Sequence, residues 1–147
     1  MIHLPQDFKE FLKLLNLKKV KYLVVGGYAV GYYGYPRATG NIDIWISPEL
    51  ENAERLVEVF REFGFNVPEL STELFLKENQ ITRIGVPPLR LEILTTVSGL
   101  NFNDCYPTRT IAALDEVEVS FISLEQLKVN KRAANRFKDL DDLEKLP

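Results

Sequence analysis

The chain has 147 residues, of which 46% are hydrophobic and 27% are charged, and its formal net charge is −3. These values are typical of a single globular domain with a proper core, and the small charge excludes a general attraction to nucleic acid, so that an RNA contact would need a local basic patch. A single cysteine and a single histidine exclude an intrachain disulfide, a cysteine-based zinc site and an HExxH zinc site. Chemistry in this chain must therefore use carboxylates, hydroxyls, basic side chains and backbone amides.

The composition also predicts a cytoplasmic protein that does not enter a membrane. Charged residues occur within the first thirteen positions, which argues against a signal peptide. No apolar run approaches the roughly 18 residues of a membrane span.

The first predicted elements are a helix and a strand. Residues 5–19 follow the three-four spacing of an amphipathic helix, whose apolar stripe consists of Phe8, Phe11, Leu12 and Leu15. The apolar run from Tyr22 to Val25 predicts a buried strand. Gly26 and Gly27 stop this strand, and one or two helical turns are expected over 28–33.

Two clusters around these elements each have a structural and a functional interpretation. Lys18, Lys19 and Lys21 suit the negative pole of the first helix, with a phosphate contact as the alternative. The aromatic cluster that follows favours packing over base stacking, and it consists of Tyr28, Tyr32, Tyr33 and Tyr35.

The next strand is predicted over 41–46, where polar and apolar residues alternate. Side chains two residues apart on a strand point to the same face. We therefore expect Asn41 and Asp43 side by side on one face, with Ile42 and Ile44 buried on the other.

A helix and a hairpin are predicted to follow. Ser47 as N-cap and Pro48 at the first position predict a helix that continues to Phe63 and ends at Gly64, in a βαβ-like crossover. A short helix is expected within 70–79. Strands over 81–86 and 89–94 form a hairpin around a two-proline turn, and alternation places Arg90 and Glu92 on one face.

The remainder is predicted to be irregular at first and helical at the end. Residues 95–114 have mixed signals, and we expect an irregular segment that covers the site. A strand follows over 117–122. Ser123 and Gln126 form a capping box that begins a helix ending between 132 and 135, and a second helix over 137–146 closes the chain.

The middle of this pattern resembles a known family. Its order is a strand, the glycine pair, a short helix, Arg37-x-Thr39 and a polar-apolar-Asp strand, which is similar to the nucleotidyltransferase superfamily with the fold of the DNA polymerase β palm. Within it, the chain looks most like small bacterial proteins grouped with AbiEii-type toxins of toxin–antitoxin systems. Their pattern is a glycine pair, two acids with one apolar residue between them, and a third acid on a later strand. This chain supplies Gly26-Gly27, Asn41-x-Asp43 and Glu92.

The resemblance implies a metal site. In the family the acids hold two Mg²⁺ ions, so that Asp43 would bridge the metals (Mg²⁺ or Mn²⁺) and Glu92 would support the ion that activates the attacking hydroxyl. Asn41 stands where the family usually has Asp, which predicts weaker metal binding. A carboxylate in an apolar strand is costly to bury unpaired, and the alternative for Glu92 is a salt bridge with Arg90 or Arg83.

The resemblance also implies a nucleotide site. Backbone amides at Gly26 and Gly27 would approach phosphate oxygens at a helix N-terminus, with a tight turn as the alternative. Arg37 would pair with the triphosphate or with Asp43. Thr39 would cap the loop or donate to a phosphate.

The chain end resembles the family's closing pattern, a Lys followed by Arg-x-Lys-Asp. Here these residues are Lys131, Arg136, Lys138 and Asp139, with Asp142 one turn later. Lys131 and Arg136 are the best candidates for binding phosphates, and Lys138 joins them in the predicted nucleotide site. The alternative is ordinary helix-surface pairs with Asp139 and Asp142.

Together these expectations describe one domain over 1–147 with an α/β (α+β) nucleotidyltransferase fold, a mixed sheet of about five strands with packed helices and a helical C-terminal tail. The expected function is Mg²⁺-dependent transfer of a nucleotide from a nucleoside triphosphate to a hydroxyl of RNA such as tRNA, of a protein or of a small molecule, within a toxin–antitoxin system that has an antitoxin partner. The alternative is a catalytically weakened homologue, disarmed at Asn41, that binds nucleotide or a partner. A transferase of the aminoglycoside-modifying type would share the same site.

Overall fold

A computed structural model describes residues 4–34, 40–85 and 89–147. The predicted site residues Arg37 and Thr39, Tyr35 of the aromatic cluster and the two-proline turn lie outside these ranges. The helices are α1 (Gln6–Leu17), α2 (Gly26–Tyr33), α3 (Leu50–Phe63), α4 (Phe102–Cys105), α5 (Leu124–Ala134) and α6 (Phe137–Lys145). The strands are β1 (Tyr22–Val25), β2 (Asn41–Ile46), β3 (Ile81–Ile84), β4 (Arg90–Leu94), β5 (Thr110–Leu114) and β6 (Val117–Phe121).

The six strands in the described ranges form one mixed sheet in the order β3-β4-β2-β1-β6-β5. β2 and β4 are parallel, as are β1 and β6, and the other neighbours are antiparallel. The predicted β3–β4 hairpin is confirmed. α3 lies in the connection between the parallel strands β2 and β4, but the chain first passes through β3, which runs antiparallel to both, so the connection differs from the predicted βαβ-like crossover. The α/β class is therefore confirmed, with one strand more than the five expected.

The core lies where the helices cover the sheet. The predicted apolar stripe of α1 is buried throughout, and it meets α3 through an edge-to-face contact between Phe11 and Phe60, whose ring centroids are 5.4 Å apart. Ile42 and Ile44 of β2 are buried as expected. In the described part of the chain, no helix is both long enough and apolar enough to cross a bilayer.

The additional strand, β5, lies within the segment predicted to be irregular, so that prediction is wrong for 110–114. Among the strands of the described ranges, β5 lies at the edge and pairs only with β6, and its half-exposed Thr-Ile-Ala-Ala-Leu sequence carries little strand signal. The turn into β6 places Asp115 and Glu116 at φ 49° and 70°. Two-residue hairpin turns of this kind usually contain Asn or Gly, so the usual sequence signal is missing. Two short 3₁₀ turns, Thr72–Phe75 and Tyr106–Thr108, complete the irregular regions.

The start of α3 also differs from the prediction. The helix begins at Leu50 with Glu49 as its N-cap, and Ser47 does not cap it. The Asn52 side chain donates to the Ser47 carbonyl and accepts from the Lys21 amide, which holds the preceding segment in extended form beside the sheet. At the other end Gly64 adopts φ +101°, so the predicted C-cap is confirmed.

The tail follows its prediction closely. The Ser123 hydroxyl accepts from the Gln126 amide at the start of α5, and Asn135 ends that helix in the left-handed conformation, at φ 53°. α6 then folds back and packs against α5. This packing brings the basic residues of the tail, Lys131, Arg136 and Lys138, close to the sheet.

Candidate active site

A cleft of about 510 Å³ opens beside the ends of β1, β2 and β4 and is bordered by α5 and α6. It is lined by the eight predicted site residues that fall in the described ranges: Gly26, Gly27, Asn41, Asp43, Glu92, Lys131, Arg136 and Lys138. The structure thus brings together residues that are far apart in the sequence. Their roles toward metal or nucleotide stay predictions.

The two acids of the cleft are direct neighbours across the sheet. In the parallel register of β2 and β4, Asp43 lies opposite Glu92 and Asn41 lies opposite Arg90. Alternation along both strands then places all four side chains on the cleft face. The Asn41 amide also reaches Glu92, with 3.4 Å between Nδ2 and Oε1.

The proximity of the acids changes the acidity of Asp43. The pKa of Asp43 is raised to about 6, chiefly by burial and also by the charge of Glu92 and a hydrogen bond with it, while the charges of Lys138 and Lys131 lower it. A buried carboxylate whose ionised form is disfavoured by a neighbouring carboxylate would be stabilised by a cation.

Glu92 is held by arginines, as the alternative interpretation expected. Oε1 of Glu92 lies 2.9 Å from Nη2 of Arg90 and 3.5 Å from Nε of Arg83. The Glu92 side chain is 13% exposed, so these partners offset much of the cost of its partial burial. The metal role predicted for Glu92 would have to be compatible with these ion pairs.

Gly26 is required by the position of Asp43. Its φ is +67°, and a Cβ atom added there would lie 2.2 Å from Oδ2 of Asp43. A side chain at this position would be strained in the backbone and would also displace the carboxylate. This gives the glycine a structural reason of its own, next to the predicted approach of phosphate to the start of α2.

We expect Gly26→Ala to destabilise the protein by about 3 kcal/mol, because the left-handed backbone and the contact with Asp43 both resist a methyl group. Gly64→Ala is the matched control, since Gly64 has φ +101° and a Cβ there meets nothing within 4 Å; it should cost only about 1 kcal/mol of backbone strain. Urea unfolding of both variants measures the difference. Equal losses in the two variants would show that Asp43 does not constrain Gly26.

Lys131 forms the predicted alternative pairs, but they are buried rather than on the helix surface. Its Nζ lies 3.1 Å from Oδ1 of Asp139 and 3.1 Å from Oδ2 of Asp142. The three side chains are only 4%, 1% and 1% exposed. Lys131 therefore joins α5 to α6 at the wall of the cleft.

Arg136 and Lys138 lie at the exposed rim. Nε of Arg136 is 2.7 Å from Oδ2 of Asp139, although the arginine side chain is 69% exposed. Desolvation of Asp139 favours its neutral form, but hydrogen bonds from Arg136 and Lys131 outweigh this effect and lower the pKa of Asp139. The rim of the cleft therefore carries the positive charges of Arg136 and Lys138.

Sequence reasoning missed one wall of the cleft. Thr96, Ser98 and Asn130 line it together with Arg83, and the Asn130 side chain donates to the Ser98 carbonyl over 3.0 Å. The sequence indicated only that the segment after β4 would cover the site, without naming these residues. The small polar residues Thr96, Ser98 and Asn130 show no regular spacing in the sequence that would have identified them as cleft residues.

Three residues of the tyrosine cluster, and Lys18 of the lysine cluster, have structural partners in the described ranges. Tyr32 stacks on Phe121 with ring centroids 4.4 Å apart, and the Tyr33 hydroxyl donates to the Ile122 carbonyl over 2.6 Å. Tyr28 is buried, so packing is confirmed for three of the four tyrosines. Lys18 forms an ion pair with Glu62 on α3, at 3.1 Å.

Comparisons with known proteins identify the fold. No protein-family model matches the chain. No curated protein sequence matches it either. Among solved structures, it is similar to a protein from Thermotoga maritima that is called a "putative nucleotidyltransferase", with a TM-score of 0.59 and 18% sequence identity over 93% of this chain and 86% of that one. The chain therefore has the nucleotidyltransferase fold.

Proposed function

We propose that the protein is a nucleotidyltransferase that moves a nucleotide from a nucleoside triphosphate to a hydroxyl group and releases pyrophosphate. The observation that supports this most is the pair of neighbouring carboxylates, Asp43 and Glu92, in a cleft with a cationic rim. A chain with this fold and this charge distribution offers a place for a cation and, beside it, for a triphosphate.

The donor set fits a hard divalent cation, Mg²⁺ or Mn²⁺. Asp43 and Glu92 would hold it, and the side-chain carbonyl of Asn41 would be the third oxygen ligand. The described ranges contain no group of three or more His, Cys, Asp or Glu residues that could hold a metal, so this proposal depends on the amide oxygen of Asn41 as a ligand beside the two carboxylates. When bound, the cation would neutralise phosphate charge and activate the attacking hydroxyl.

The remaining residues of the cleft would bind the triphosphate. Arg136 and Lys138 supply positive charge at the rim, and the start of α2 offers the backbone amides of Gly26 and Gly27. Arg37 and Thr39, outside the described ranges, keep their proposed place in this site. Lys131 would act mainly by positioning α6, because both of its carboxylate partners are buried with it.

The acceptor and the biological role are further proposals. Candidate acceptors are RNA such as tRNA, a protein or a small molecule, and the cleft wall of Thr96, Ser98 and Asn130 offers hydrogen-bonding groups to any of them. A toxin–antitoxin role with an antitoxin partner is supported by the resemblance to AbiEii-type proteins alone.

A second candidate function is binding without transfer. Asn41 removes one negative charge, and Glu92 is engaged by Arg90 and Arg83. A weakened homologue with these features would bind nucleotide or a partner protein and act by association.

Transfer of label from each α-labelled nucleoside triphosphate, with Mg²⁺ or Mn²⁺, tests the proposal on bulk tRNA and on cell lysate. Label incorporated by the natural protein and absent with Asp43→Ala would establish the enzyme, and the labelled species would identify the acceptor. Label that appears only with Asn41→Asp would favour the binding function. Absence of label from both, together with absence of triphosphate binding, would contradict transfer and nucleotide binding alike.

We expect Asn41→Asp to strengthen Mg²⁺ binding about tenfold, because a carboxylate replaces a neutral ligand in the cleft. Isothermal titration with Mg²⁺ measures the change. Asn66→Asp is the matched control, since Asn66 is exposed and does not line the cleft. If both variants have the affinity of the natural protein, Asn41 is not a metal ligand.

A further inference from the structure

We infer that this cleft binds one divalent cation and that the guanidinium of Arg90 occupies the electrostatic place of a second. The inference rests on the proposed function, and it departs from the two ions that the family resemblance implies. It follows from the ion pairs and the hydrogen bond that Glu92 makes with Arg90, Arg83 and Asn41.

Three donors converge on one oxygen of Glu92. Nη2 of Arg90 lies 2.9 Å from Oε1, Nδ2 of Asn41 lies 3.4 Å from it, and Nε of Arg83 lies 3.5 Å from it. A second cation at this oxygen would have to displace these donors. Asp43 is the carboxylate that is left to bind a metal more directly.

The sheet register places side by side the two residues that make the cleft less negative, the amide Asn41 and the cation Arg90. Asn41 of β2 lies opposite Arg90 of β4, one step along the face from the Asp43 and Glu92 pair. An amide thus faces an arginine where the resemblance expects an acid. The loss of one negative charge and the presence of one positive charge occur at adjacent positions on the same face.

The local charge also favours a single cation. Asp43 and Glu92 contribute two negative charges, and Arg90 and Arg83 contribute two positive charges, so these four groups sum to zero before any metal binds. The charge of Lys131 is offset by its two aspartates. Because affinity for hard cations rises with the negative charge of the ligands, a second divalent ion has little to attract it.

Arg90 is a permanent part of this arrangement. Its side chain is 27% exposed, and a guanidinium does not lose its proton in proteins. Its Nε is buried and has no hydrogen-bond partner in the described ranges. The group therefore keeps a fixed positive charge and one unused donor beside the acids.

The test counts bound Mn²⁺. The natural protein is titrated with Mn²⁺, free ion is followed by electron paramagnetic resonance, and the frozen spectrum reports whether two ions are coupled. We expect one Mn²⁺ for the natural protein and two for Asn41→Asp/Arg90→Gln. The control Asn66→Asp/Arg61→Gln makes the same charge change at exposed positions outside the cleft and should keep one.

The outcomes separate this inference from the proposed function. Two coupled ions in the natural protein would overturn the inference and leave the proposed function standing, whereas no bound Mn²⁺ in either protein would overturn both. A double variant that keeps one ion would also overturn the inference. If the double variant does not fold, Arg90→Gln alone should tighten Mn²⁺ binding about tenfold by removing an adjacent charge, and an unchanged affinity would overturn the role of Arg90.

Discussion

Asp43→Asn is expected to abolish nucleotide transfer and, at the same time, to make the folded protein more stable above about pH 6. Transfer should fall by about a thousandfold, because the substitution removes the carboxylate that we propose holds the cation. Stability should rise because the ionised Asp43 is partly desolvated and lies beside a second carboxylate. A site residue that costs stability is expected where function requires like charges to be held together.

The direction in which stability changes with pH follows from the folded-state and unfolded-state pKa values of Asp43. Its folded-state pKa of about 6 exceeds the ordinary value of 3.8, so the folded state binds the proton more tightly than the unfolded state does. This contribution to stability is fully present below the unfolded pKa and is lost as the pH rises through the folded pKa. The loss amounts to about 3 kcal/mol at alkaline pH, and Asp43→Asn avoids it.

Urea unfolding at about pH 4 and about pH 8 measures this effect. The advantage of Asp43→Asn over the natural protein should appear at the higher pH and vanish at the lower. Glu54→Gln is the matched control: Glu54 is exposed on α3 and does not line the cleft, so its transfer activity and stability should stay unchanged at both values. A stability gain at both values alike would show that Asp43 does not carry the raised pKa.

The local pattern of the sequence was sufficient to predict which side chains face the cleft. Alternation along β2 placed Asn41 and Asp43 opposite the buried Ile42 and Ile44, and the structure confirms this. A strand period depends only on neighbouring residues. The same holds for the caps of the tail, where Ser123 and Asn135 act on their own helix ends.

Contacts between distant elements could not be predicted in this way. The register that sets Asp43 against Glu92 depends on how β2 and β4 align, and the clash that fixes Gly26 depends on that carboxylate. β5 was missed because its turn uses Asp115 and Glu116 instead of Asn or Gly. In the first two cases the decisive interaction joins segments whose relative placement has no signal in either segment alone, whereas β5 lacks the usual local turn signal.

The buried lysine gives the largest expected effect on stability. Lys131→Met should destabilise the protein by about 4 kcal/mol, because it leaves Asp139 and Asp142 buried without their common cation. Without that cation α6 should detach from α5 and carry Arg136 and Lys138 away from the cleft. Triphosphate affinity should then fall together with stability, although Lys131 itself need not touch the ligand.

Lys145→Met is the matched control, because Lys145 pairs with the exposed Asp141 at 2.9 Å, and such a surface pair contributes at most about 1 kcal/mol. Lys131→Met/Asp139→Asn/Asp142→Asn should recover much of the lost stability, because neutral amides replace two buried carboxylates that have lost their shared lysine. Thermal and urea unfolding of the three variants measures these differences. If Lys131→Met is no more harmful than Lys145→Met, the buried charges do not hold α6 in place. If only the triple variant regains both stability and triphosphate affinity, Lys131 acts through the position of α6 and not through its own charge.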